Sequence, residues 1–469
     1  MRLNELWNRI LYGHAGITEL QFLNAEINSW LQSKRRRNMI TAREYYLGEQ
    51  DIRNKKRLVY DENGKANELN NAPNNIILDN KVDDLVDQKA NYLLAKPIDV
   101  QCDAELDDIF NNRFNRQLKN VGRDAIIGGV GYLIPYIDKE GNFKLKKALS
   151  EHILPFWADD EHTILDAFIY MYPIEVYEAG SIKTIIHKVE YYTREGVKYY
   201  IWNHLGLEVD KDREAQPHYM EGEEPRAWKH VPLIPFKRNY AELSIIVQVK
   251  SLQDALNTLM SNFADNMQED IRSTILVIKN YDGEDLNGFR QKLATYGAIK
   301  VKSVEGVEGG VDTLKIEVDA ANYEIILKML KRSIVENGRG FDAKDERMGN
   351  NPNQMNIQSM YSDIDLDAND MESEFQASLE LLMEFISEYK GQTITAQFIF
   401  NRDLPINQGD VINNCKNSVG IISRETIIAN HPWTLDTEEE LKRLEEEEQQ
   451  HIVDFVVGGA NDGNKVLDE

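Results

Sequence analysis

Five oxygen-bearing side chains crowd one short stretch: Asp363, Asp365, Asp367, Asn369 and Glu374. Their spacing matches the liganding positions of a calcium-binding loop, whose carboxylates and amides close on a hard cation. The sixth position of such a loop needs glycine for its sharp turn, and Ala368 stands there. An apolar series at helical step, Ile364, Ala368 and Met371, runs through the same residues. A continuous helix spreads Asp363, Asp365 and Asp367 around its axis, so they do not converge on one ion. The stretch therefore reads as an acidic helix face. A metal-dependent nuclease or hydrolase is the minor alternative.

Other chemistry is thinner. There is no Gly-x-x-x-x-Gly-Lys-Ser/Thr phosphate loop and no Gly-x-Ser-x-Gly nucleophile elbow. Gly128-Gly129-Val130-Gly131 lacks the spacing and the following helix of a dinucleotide loop. The histidines form no i,i+4 pair, and Cys102 and Cys415 stand far apart, giving neither a zinc pattern nor a disulfide framework. No cofactor, no metal and no enzymatic activity are expected.

Two charged stretches are candidate contact surfaces. Lys34, Arg35, Arg36 and Arg37 form a basic run, read either as a solvated helix face or as a patch for phosphate or an acidic partner. Residues 339–354 carry Arg339, Lys344, Arg347, Met348, Asn350, Asn351, Asn353 and Gln354 without apolar anchors. A loop this long between two helices is uncommon unless it is functional or disordered, and the rigid flanks favour function.

The elements that would position these groups follow from periodicity. The chain has 469 residues, 42% hydrophobic and 28% charged, a globular balance with room for about three units. The formal charge of −25 argues against gripping nucleic acid through the overall field, since that needs a Lys/Arg surplus. The longest uncharged apolar run, Ala125–Ile137, is too short and too broken by glycine to span a bilayer, and the N-terminus has no signal-peptide pattern. The spacing predicts helices over 74–95 and 104–127, then an antiparallel meander from 128 to 240 with turns at Gly141, Gly196 and Gly206. A long helix covers 241–271 on the stripe Ile245, Val249, Leu252, Leu256, Leu259, Phe263 and Met267. A βαββ insert follows at 272–318, then a second helix over 319–338 capped by Asp319. A third long helix runs from about 356 on Ile357, Met360, Ile364, Ala368, Met371, Phe375, Leu379, Leu382 and Ile386, with a strand at 393–400. The C-terminal part is helical to 457, with a tail at 458–469 too polar to fold alone.

Several stretches, in this order, resemble the portal (head-to-tail connector) family of tailed bacteriophages over roughly residues 38–450. They are Tyr45-Tyr46-Leu47-Gly48 with Asp51-Ile52, and Val86-Asp87-Gln88-Lys89 through Tyr92 to Lys96-Pro97. Val231 to Phe236 followed by Lys250-Ser251-Leu252-Gln253-Asp254-Ala255 is similar to the family's entry into a stem, and Ile422-Ser423, Glu425-Thr426, His431-Pro432-Trp433 and Asp436 to its C-terminal segment. The resemblance implies an α+β fold of portal-type architecture: a β-rich wing over 1–240, stem helices over 241–271 and 319–338, a small α/β clip over 272–318, a channel loop over 339–355, a long helix and wing strand over 356–400, and a helical crown over 401–457. It further implies a homo-oligomeric ring of twelve subunits at one capsid vertex in the virion, assembled in the host cytoplasm. The implied partners are double-stranded DNA in the channel, the terminase packaging motor, and capsid, scaffolding and neck or adaptor proteins, with no membrane. Another phage head or neck protein is the alternative.

Overall fold

The computed structural model describes residues 18–60, 64–68, 72–178, 182–203, 205–270, 275–279, 310–314, 320–342, 354–402, 408–434 and 436–447. The chain divides into two units. The larger comprises Met1–Gly340 and Leu366–Arg402; the smaller comprises Phe341–Asp365 and Asp403–Glu469.

The larger unit opens with helix α1 (Glu19–Gln32), whose Thr18 caps it in a reciprocal box with Gln21. Ser33 ends α1 and at once caps α2 (Lys34–Tyr46). Short strands β1 (Leu58–Tyr60) and β2 (Ala66–Glu68) precede α3 (Lys81–Leu94), β3 (Asp99–Cys102) and α4 (Asn112–Gly128). Gly129 closes α4 with φ near +87°, a conformation that glycine alone adopts without strain, and a Cβ there would strike the Glu242 carbonyl. The chain then enters β4 (Val130–Ile137) and β5 (Phe143–Ala148), followed by β6 (Ile153–Trp157), β7 (Leu165–Glu178), β8 (Ile182–Tyr192), β9 (Val197–Asn203) and β10 (Gly206–Val209). β11 (Tyr219–Glu221) and β12 (Glu224–Arg226) form a hairpin, and β13 (Ile234–Lys237) returns to pair with β4.

The expected meander is present as a five-stranded antiparallel sheet, β10-β9-β8-β7-β6, beside a three-stranded sheet, β13-β4-β5. Alternation along β7 assigns its two faces. Ala167, Ile169 and Met171 pack with Phe22, Leu23 and Ile27 of α1, whereas Phe168 and Tyr170 pack with Tyr132, Ile134 and Met39. The sheet is thus sandwiched, and each of its apolar faces has a partner within this unit.

Past β13 comes α5 (Ile246–Asp270), then the paired strands β14 (Ile275–Lys279) and β15 (Gly310–Leu314), α6 (Ala320–Asn337), α7 (Gln354–Lys390) and β16 (Ala396–Ile399), which pairs with β3. The rest of the expected insert at 272–318 lies outside the described residues. α5 starts five residues later than its periodicity predicts, because residues 238–245 form an irregular turn with Glu242 at φ +51°. α3 likewise starts at Lys81, with Asn80 as its cap, and the preceding residues are extended.

That extended segment explains a feature of α5. Gln253, Asn257, Ser261 and Asp265, spaced four apart, are all buried. Each accepts a hydrogen bond from an alternate backbone N–H of the segment: Lys81 to Gln253 at 3.0 Å, Asp79 to Asn257 at 3.0 Å, Ile77 to Ser261 at 2.9 Å and Asn75 to Asp265 at 2.6 Å. Four helical residues rise about 6.0 Å and two extended residues about 6.6 Å, so the periods nearly coincide. The helix supplies the hydrogen bonds a neighbouring strand would otherwise give. Asn257 also donates to Gln50 at 2.6 Å. Replacing Asn257 with Ala leaves the part-buried Asp79 N–H and the buried Gln50 side-chain oxygen without these partners; chemical denaturation should show a loss of about 2–4 kcal/mol.

In the smaller unit, Phe341 and Tyr361 stack at 4.1 Å between ring centroids. α8 (Gln408–Asn417) and α9 (Arg424–Ala429), capped by Ser423, meet where the Cys415 thiol lies 3.8 Å from the Ile427 carbonyl. Val419, Ile421, Ile422 and Trp433 are exposed.

Candidate functional site

α5 and α6 pack side by side, with Phe263 against Tyr323 and Lys331 reaching Asp79 at 2.8 Å. α6 spans 18 residues yet buries only Ile334. Ile325, Ile326 and Met329 are 56%, 44% and 63% exposed, and Val247 and Met267 of α5 are also open to solvent. An amphipathic helix draws most of its stability from covering an apolar face. α6 packs Tyr323, Leu327, Leu330 and Ile334 inward, and a second apolar face, Ile325, Ile326 and Met329, is left uncovered by the described residues.

The C-terminal end of α6 is fixed by a polar junction. Asp367 of α7 receives the Lys89 ammonium at 2.7 Å and the Arg238 guanidinium at 3.3 Å. Arg339, at φ +50° just past α6, lies 3.8 Å from both Asp367 and the exposed Asp370. Lys89 also donates to the Arg339 carbonyl at 2.8 Å. Gly338 and Gly340 lie so close to Leu85 that a Cβ would approach its methyl carbons to 2.6 and 2.3 Å. Burial, aided by Arg238 and Arg339 against the pull of Asp367, pushes the Lys89 ammonium down to about 8. Burial would raise the Asp367 carboxyl, but Arg238 and Lys89 more than offset it, and its value falls.

The basic run 34–37 occupies the first turn of α2, where the helix dipole disfavours cations. Two of its members are engaged within the unit. Arg35 pairs with Glu242, and Arg36 donates to the Glu151 carbonyl at 3.1 Å. Glu242 is buried, yet Arg35, His162 at 2.6 Å and Lys237 at 3.5 Å hold its carboxyl below the usual range. Lys34 and Arg37 point outward and are exposed. Arg43, further along α2, bridges Glu151 at 2.5 Å and Asp124 at 3.0 Å.

Lys344, Arg347, Met348, Asn350, Asn351 and Asn353 lie outside the described residues, and Gln354 begins α7. The acidic stretch Asp363–Glu374 is continuous helix, and among the described residues no group of His, Cys, Asp or Glu is arranged to hold a metal ion. Sequence reasoning missed the Lys89–Asp367–Arg238 junction and the polar ladder of α5. The signal for the ladder was a polar series at i, i+4, i+8 beside the apolar stripe. An open cleft of about 720 Å³ lies along α7, lined by His230, Glu384 and Glu388. There His230 pairs with Glu384 at 3.0 Å, and Glu388 accepts from the Lys229 N–H at 3.1 Å. No described helix is long and apolar enough to cross a membrane.

The fold mixes helix and sheet, and α6 leaves one apolar face uncovered among the described residues. Comparison with known proteins is specific. The family model for phage portal proteins of the SPP1 Gp6-like kind matches residues 31–454. The portal protein of Bacillus phage SPP1 is 29% identical over 430 residues, 87% of this chain and 83% of that protein. The portal protein of Clostridium phage phiCD119 is 29% identical over 452 residues, 92% and 96% of the two chains. A chain in the neck of a native GTA particle, computed with C12 symmetry, aligns with a TM-score of 0.40 at 12% identity, over 75% of this chain and 89% of that one. This chain belongs to the SPP1 Gp6-like phage portal protein family. It is a virion component, and as a portal protein it forms the ring at a capsid vertex.

Proposed function

We infer that this ring is the conduit through which double-stranded DNA enters the head and later leaves it. One observation carries the reading furthest: α6 leaves Ile325, Ile326 and Met329 uncovered, and a neighbouring copy in a ring is the surface that covers them. Twelve copies is the number the family resemblance implies. The formal charge of −25 suits a channel past which phosphates slide rather than stick.

In this reading segments 241–271 and 319–338, built on α5 and α6, are the stem, and 272–318 is the clip, the docking site for the terminase motor and later for neck or adaptor proteins. The wing (1–240 and 356–400) meets capsid and scaffolding proteins, and the crown (401–457) lies inside the head. Residues 339–355 supply the channel loop, with Lys344 and Arg347 as transient phosphate contacts beside Met348, Asn350, Asn351, Asn353 and Gln354. Lys34 and Arg37 offer a second basic surface. Assembly takes place in the host cytoplasm. No catalytic step is assigned to the chain.

Electron microscopy of the purified protein should show closed rings with a central hole; an oligomer of another geometry would favour a different head or neck role. Lys344→Glu with Arg347→Glu should leave those rings intact while cutting the yield of DNA-filled heads. An unchanged yield removes the loop assignment without touching the ring.

A further inference from the structure

The junction at the end of α6 is over-supplied with positive charge. Lys89, Arg238 and Arg339 converge on Asp367, and the nearest second carboxylate, Asp370, is exposed. Arg238 is 1% exposed, and its Nε has no hydrogen-bond partner. A buried ion cluster with unequal charge and an unsatisfied donor is a poor device for stability. Its geometry serves placement better. The Lys89 ammonium spans two elements at once, holding the Arg339 carbonyl at 2.8 Å and the Asp367 carboxylate of α7 at 2.7 Å. Arg339 is kept at a positive φ, and the glycines on either side of it sit tight against Leu85 of α3.

We propose that Lys89 is a positioning residue of the DNA conduit, pinning the last turn of α6 to α7 and so fixing where the chain leaves the helical pair, at a cost to the stability of the fold. The tie to DNA rests on the conduit reading above; the pinning itself does not.

The sign of the cost follows from protonation. The charged groups facing Lys89 are Asp367 on α7, Arg238 after β13 and Arg339 after α6. The folded state binds fewer protons than the unfolded one between about pH 8 and the free lysine value of about 10.4. Stability from this group therefore rises with pH across that window, and the burden of the buried cation is fully present below it.

The test uses full-length rings carrying Lys89→Met, with Lys89→Arg as the control that keeps a cation. Hydrogen–deuterium exchange at Gly338 and Gly340, whose amides bond to Ile334 and Val335, should quicken at least about tenfold in Lys89→Met and less in Lys89→Arg. The melting temperature of Lys89→Met near neutral pH should equal or exceed that of the unmodified ring. The portion of the pH-dependent rise above pH 8 that belongs to Lys89 should vanish. DNA-filled heads should be lost. Unchanged exchange at Gly338 and Gly340 overturns the pinning, and a lower melting temperature overturns the claim that placement costs stability. Quickened exchange with a full yield of DNA-filled heads leaves the pinning standing and severs it from DNA passage, so the two readings fail separately.

Discussion

Ile325→Asp combined with Met329→Asp should abolish ring formation while leaving each subunit folded. Both side chains are more than half exposed in the single chain, so the charges enter no core and unfolding stability should move by less than about 0.5 kcal/mol. In the proposed assembly the same positions face a neighbour, where an unpaired carboxylate is costly to desolvate. That cost recurs at every interface around the ring. Analytical ultracentrifugation should find the variant as monomer at concentrations where the unmodified protein is fully assembled, with circular dichroism unchanged. A variant that still closes into rings would show that this face is not the one buried between copies.

Asp367→Asn should have the largest effect on the fold itself. It removes the carboxylate shared by Lys89 and Arg238, both almost wholly buried. Breaking a buried pair from one side leaves like charges facing each other out of water, and chemical denaturation should show a loss of about 3–5 kcal/mol. The pH dependence has the same sign as that of Lys89, stability rising with pH, but it falls in the acid range, and here the charged form stabilises. Because the Asp367 carboxyl is held below its unfolded value, its contribution is complete above about pH 4 and is lost as pH falls through the lowered folded value. The variant should therefore show a flatter acid limb of stability against pH. Taken together, the two substitutions separate the roles in one cluster: Asp367 is indispensable to folding, and Lys89 is dispensable to it.

How far the sequence reveals this arrangement depends on which force sets each element. The apolar stripe of α7 marks buried positions almost residue for residue, from Ile357 through Phe375 and Leu379 to Ile386, because a helix that covers its face must repeat at helical step. The alternation of β7 is legible for the same reason. Segment 74–80 is not. Its Ile76 and Ile77 extend the apolar pattern of α3 backwards, and only contact with α5, distant in sequence, decides that this backbone is extended. The Lys89 junction is hidden for a related reason. Lys89 falls in the apolar series of α3 at helical step, which puts it on the covered face, but Arg238, Arg339 and Asp367 are far away along the chain and nothing local names them as its partners. The basic run of α2 misleads in the other direction: half of it is anchored inward by Glu242 and the Glu151 carbonyl, which no local pattern announces.

The match between α5 and segment 75–81 acts as a vernier. Each tooth of the helix falls about 0.6 Å short of its partner in the extended chain, a shortfall of roughly 1.8 Å across the three intervals from Gln253 to Asp265. Each step of four also carries the side chains about 40° further around the helix axis. Such a comb cannot be lengthened indefinitely; four teeth are close to the most it can hold in phase. Within its reach α5 can neither slide nor roll along the segment without breaking several of these bonds at once, so helix and extended chain act as one piece from Gln253 to Asp265.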